Sequence, residues 1–170
     1  VSRSQSSRLK GPMAFFRGLQ DSAFTEWFLG SDSIWTYPTV LTLHTVGMAI
    51  LVGASFVINL RILQVAGDIP LPRLQALYRF VWIGFAVNLL SGVVLFVTEA
   101  ADRVVDPVFY VKLSSIGLAL WFGVIVKHTA IDRTDGANQA SGRSRSLAAV
   151  SLALWTVAIV SGRLMAYLKK

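Results

Sequence analysis

The stretch that decides the fold is VLTLHTVGMAILVGASFVINL, Val40 to Leu60, 21 residues without a formal charge. At about 1.5 Å per residue it reaches roughly 31 Å, the thickness of a bilayer hydrocarbon core. Backbone amides inside lipid have to bond within their own segment, so the stretch is predicted to be helical despite its β-branched residues. At about 100° per residue, His44, Met48, Leu51, Ser55 and Asn59 share a stripe roughly 80° wide. The other faces are aliphatic, and Gly47 and Gly53 are expected to admit close neighbours. A polar stripe on a greasy helix should face protein or a cofactor.

Working outward, the rest of the 170-residue chain repeats the pattern. Hydrophobic residues make up 54%, charged residues 15%, and the mean hydropathy is +0.60. Soluble domains carry about 25% charge, so lipid is the expected solvent. Further spans are predicted at about 77–98, 108–130 and 147–168, with the first at about 35–64. The third is the shortest on charge grounds: 14 uncharged residues separate Lys112 from Lys127. Lysine stems can carry their heads to the interface, so it still crosses. Within it Ser114, Gly117, Trp121, Val124 and His128 share one side, and Lys112 points away. Short connections make neighbours antiparallel. The expected fold is all-α, an integral membrane four-helix up-down-up-down bundle over 34–170.

Residues 1–33 are expected to form a polar tail and an interfacial helix. Phe15, Phe16, Leu19, Ala23, Phe24, Trp27 and Phe28 recur at three- and four-residue spacing, opposite Arg17, Gln20, Asp21, Thr25 and Glu26. That is one amphipathic helix lying in the headgroup region. Asp32 or Ser33 is expected to introduce the first span. The opening VSRSQSSRLKGP lacks the apolar core of a signal peptide. EAADRVVDP (Glu99–Pro107) reads as a short acidic loop, with Asp106 as a cap and Pro107 as first helical residue.

The formal charge of +7 sits at span ends and in tails. With no basic face interleaved with aromatics, it suits lipid headgroups and not nucleic acid. Lys and Arg near the spans place the loops after spans one and three in the cytoplasm and the termini outside. The chain has no cysteine, which excludes disulfides, thiolate metal sites and cysteine nucleophiles. No glycine-rich phosphate loop, HExxH, Ser/His/Asp set or EF-hand pattern occurs. No catalytic residue is assigned, and the chain reads as a subunit more than as an enzyme on its own.

His44 lies roughly 13 Å below its interface, counted from Trp35. Imidazole is a common metal ligand and the usual axial ligand of a b-type haem. The plain alternative is a hydrogen bond to a hydroxyl or carbonyl on the next helix. Arg163 returns to the same side of the membrane, where a guanidinium could fork onto haem propionates. Its alternative is a reach for lipid phosphate. His128 is the obvious second metal ligand, but it is offset from His44 by roughly 16 Å along parallel spans. Met48 or Met165 could replace it, as could a partner chain. Trp121 and Trp155 could flank a flat cofactor or simply fill the bundle. Glu99 could relay protons or sit solvated in its loop.

The segments Leu43–Leu63 (LHTVGMAILVGASFVINLRIL), Pro107–Lys112 (PVFYVK) and Ser161–Tyr167 (SGRLMAY) resemble a family of small four-helix bacterial inner-membrane proteins known only as a domain of unknown function. His44, Lys112, Gly162 and Arg163 fall where that family's pattern would put them. More loosely, the chain is similar to copper-resistance D-type and small cytochrome b-like membrane proteins. The resemblance implies the fold and a bacterial inner membrane, and carries over no catalytic residues.

Three functions follow as expectations. The first is a haem- or metal-binding electron-transfer subunit acting with a partner, with haem b as cofactor. The second is a non-redox accessory subunit of a larger membrane complex, or of a homo-oligomer. The third is a small transporter using His44, Asn59 and Glu99.

Overall fold

In a computed structural model, residues 12–30, 35–65, 69–70, 73–131 and 141–167 are described. They form α1 (Pro12–Gln20), α2 (Ala23–Gly30), α3 (Thr36–Ile62), α4 (Leu74–Thr98), α5 (Ala100–Val105), α6 (Pro107–Val126) and α7 (Gly142–Tyr167). α3, α4, α6 with its extension and α7 are each long and apolar enough to cross a membrane. The protein is therefore an all-α, multi-pass bundle, as the run lengths predict.

Neighbouring spans are antiparallel. Gly47 abuts Asn88 and Gly84 abuts Leu51 between α3 and α4, while Thr129 meets Ser144 and Lys112 meets Gly162 between α6 and α7. The two hairpins join chiefly through α3 and α7, whereas α4 and α6 have little backbone contact. The core runs along the inner faces, with Leu51, Ile58, Ile62, Val81, Ile116, Ala119 and Trp155 buried.

Four local features depart from the expectations. The interfacial segment is two helices: Asp21 and Ser22 close α1, and the Ser22 hydroxyl accepts the Thr25 N–H at 3.4 Å to start α2. The stretch expected to be a loop after α4 is helical over Ala100–Val105, and its Arg103–Glu99 ion pair at 2.6 Å spans one turn. Gly53 has nothing within 4 Å of its notional Cβ, so of the two glycines in the first span only Gly47 serves a close approach. The fourth is the rotation of α6, taken up below. The expected caps Asp32 and Ser33 lie outside the described residues.

Helix ends are closed by side chains. Asp106 Oδ1 accepts the Val108 N–H at 2.9 Å, with Pro107 as the first helical residue of α6. Asp106→Ala is expected to cost about 1 kcal/mol, read as a lower midpoint in a denaturant titration in mixed micelles. At the far end of α3, Gln64 takes φ 65°, and the Val65 N–H returns to the Leu60 carbonyl. Arg145 of α7 donates to the Gln64 side chain, and the buried Arg61 donates to the Ile69 carbonyl. These bonds let two guanidiniums end inside protein at that face.

Candidate functional site

The inner face of α3 is the predicted stripe: His44 and Met48 are half-buried, and Leu51, Ser55 and Asn59 are buried. Two polar groups are built on it, at different depths.

The first is at His44. Its Nδ1 lies 3.1 Å from Ser91 Oγ on α4, and the ring also meets the main-chain carbonyl of Asn88. Ser91 directs its single proton to the Val87 carbonyl at 2.6 Å. Its oxygen is then able to accept from His44 Nδ1–H, the tautomer that would leave Nε2 as a lone pair. Gly92 makes room for the ring: a Cβ there would stand 3.1 Å from His44 Cε1. One turn along α4, the side-chain oxygen Asn88 Oδ1 is buried without a hydrogen-bond partner.

The cation turned toward this group is Lys112. It lies close enough for its charge to act on His44, and Arg103 stands in the same relation to Lys112. Its ammonium and last methylene sit 3.7 Å from the point where a Gly162 Cβ would be, so Gly162 leaves the space that the lysine occupies. Among the described residues Lys112 has no ion pair or hydrogen bond, although it is half-buried five residues into a membrane helix. A charged group at membrane depth costs on the order of 3 kcal/mol, which makes an unpaired one a functional candidate. α1 and α2 pack over this end of the bundle, where Gln20 accepts the Ala101 N–H at 3.1 Å and Phe28 meets Tyr37 edge-on.

The remaining predicted residues are placed apart from His44. Arg163 follows Gly162 but is exposed on the outside of α7. His128 lies on a π-helical turn, Lys127–Ile131, at the opposite end of the bundle. Glu99 is held by Arg103. Met48 is one turn from His44, and Met165 is buried on α7. Trp121 is 66% exposed. Ser114, Gly117, Val124 and His128 are exposed with it, so that side of α6 faces outward. The inward side carries Ser115, Ile116, Ala119 and Val126 together with Lys112, which reverses the expectation that Lys112 points away from the business of the helix.

The second polar group lies deeper, from Ser55 to Asn59, 11 to 15 residues or about 16 to 22 Å further along α3. Asn59 Nδ2 donates to Ser151 Oγ at 3.1 Å, Ser151 reaches the Ala119 carbonyl at 3.4 Å, and Tyr78 donates to the Gly123 carbonyl at 3.0 Å. These groups, with Ser55 and Trp155, line a cavity of about 20 Å³.

Among the described residues no three His, Cys, Asp or Glu side chains come together, so a closed metal cage of such donors is not built. The His44 group instead offers one oriented imidazole lone pair, one unpaired ammonium and one orphaned amide oxygen. An imidazole nitrogen can ligate a metal and an ammonium can pair with a carboxylate, whereas the amide oxygen calls for a donor. The sequence reading did not join Lys112 or Asn88 to His44, although Lys112 falls on the family pattern and is the single charge between Pro107 and Val126.

Comparison with protein-family models, curated proteins and solved structures finds no match to this chain.

Proposed function

We propose that the chain is a membrane-embedded electron-transfer subunit that holds a haem b-type group at His44 and works with a partner protein in a bacterial inner membrane. The observation that carries this reading is the state of His44. With its Nδ1–H given to Ser91, as ligating histidines spend their second nitrogen, Nε2 would be left to ligate, within reach of the Lys112 charge. Lys112 would hold a carboxylate of the cofactor, taking the part that the sequence offered to Arg163. A bound haem supplies one-electron chemistry, while the chain binds, orients and shields it. Arg61, Arg73, Arg79, Lys127, Arg143 and Arg145 favour a cytoplasmic position for the end opposite His44.

The test is the absorption spectrum of protein purified from membranes grown with iron. A Soret band is expected, absent in His44→Ala, reduced in Lys112→Gln and retained with weaker occupancy in Ser91→Ala. A colourless, metal-free wild type would overturn the proposal. It would favour the accessory-subunit reading instead, in which the His44–Ser91 bond serves only to fasten α3 to α4.

A further inference from the structure

α4 and α6 touch near their ends and separate between them. At one end Phe96 stacks on Phe109, with 5.5 Å between ring centroids. Toward the other end Tyr78 bonds the Gly123 carbonyl. Beside that bond a crevice opens outward to the bilayer, lined by Trp82, Gly117, Leu120, Trp121, Val124 and Ile125. Trp82, Leu120 and Val124 also line the 20 Å³ cavity behind it. The crevice and the cavity that holds Ser55, Asn59 and Ser151 therefore adjoin at these three side chains.

We infer that this crevice is a binding site for an uncharged, lipid-soluble ring compound carrying a donating hydroxyl, entering sideways from the bilayer. Three observations select that chemistry. The entrance is flanked by two exposed indoles, which offer flat faces to a ring. The floor carries no charged residue, and its cavity has room for about one water, which suits a hydroxyl and excludes a phosphate headgroup. The floor's hydroxyl protons are committed: Ser55 donates to the Leu51 carbonyl at 2.7 Å and Tyr78 to Gly123, while one of the two Asn59 amide protons goes to Ser151. A hydroxyl that has given its proton keeps accepting capacity. Ser55 therefore welcomes a donor and has nothing to offer a carbonyl or an ether. Because α4 and α6 share little backbone contact here, admitting a ring breaks no main-chain hydrogen bond. The site is separate from His44 and does not depend on the haem reading.

The test uses the full chain in lipid nanodiscs and two ring-brominated probes, p-nonylphenol and its methyl ether, whose bromine quenches indole emission on contact. The phenol is expected to quench saturably, and the ether to need at least tenfold more. Gly117→Phe should abolish saturable quenching by filling the crevice, since nothing lies within 4 Å of the Gly117 Cβ position and the fold can accept the ring. Ser55→Ala leaves the indoles in place and should narrow the phenol–ether gap to under threefold. Linear quenching typical of simple partition, equal affinity for the two probes, saturable quenching retained in Gly117→Phe, or a full gap retained in Ser55→Ala would each overturn the inference.

Discussion

Gly84→Val is expected to lose most of the folded protein. A Cβ at Gly84 would stand 2.6 Å from the Leu51 nitrogen and 2.9 Å from the Gly47 carbonyl oxygen and the Leu51 Cα. Those atoms are backbone, so no rotamer change relieves the clash; α3 itself has to retreat from α4. The pair is the most extensive helix contact in the protein, and it carries the His44–Ser91 bond a few turns away. Overpacking a core ordinarily costs about 1–3 kcal/mol, and here the whole interface shifts, so a loss above about 3 kcal/mol is expected. Gly53→Val is the matched control, because it adds the same side chain to the same hairpin in open space. Its effect should stay within about 0.5 kcal/mol. Unfolding by added SDS in mixed micelles reads both. Coincident midpoints for the two variants would refute the close crossing at Gly84.

Trp155→Ala is expected to be the most damaging truncation, at about 3 kcal/mol. In water such a change costs about 3–5 kcal/mol, part of it the transfer of the ring out of solvent. In a bilayer the ring of a separated helix already lies in an apolar medium, so the transfer part shrinks and the cavity part remains. Trp155 is 2% exposed and already borders a void, which the truncation would enlarge. Trp121→Ala, on the outer face, should change the midpoint by under about 0.5 kcal/mol. Equal losses for the two tryptophans in the same titration would mean that the burial assigned to Trp155 is wrong.

The number of crossings was legible because length and hydropathy are dictated by the bilayer itself. The inward face of α3 was legible too, because His44, Ser55 and Asn59 are polar and lipid rejects them. α6 offered no such contrast. Most of its faces are apolar, and lipid is as apolar as a protein core, so nothing in its composition sorted Ala119, which is buried, from Val124, which is exposed. Its rotation is set by small residues on α7, with Gly162 admitting Lys112, and such pairings between distant positions do not show in one sequence. For the same reason Arg163 was the guanidinium expected near His44, although its neighbour Gly162 is the residue that faces the group. The division of the interfacial helix went unseen because apolar spacing continues across Asp21 and Ser22. The Ser22 cap on Thr25 was the available clue.

Pairing the spans as two hairpins fastened through α3 and α7 has a mechanical consequence. The molecule resembles a book, bound along one spine and pinned near the two ends of the opposite edge, by the Phe96–Phe109 stack and the Tyr78–Gly123 bond. Thermal breathing in such an object concentrates where the pages are loose, and the displacement grows with distance from the binding. Motion there would widen the gap beside Trp82 and Trp121 while leaving the Asn59–Ser151 stitch closed. A guest larger than the resting gap could then be admitted without any helix unwinding, at a rate set by how readily the covers part.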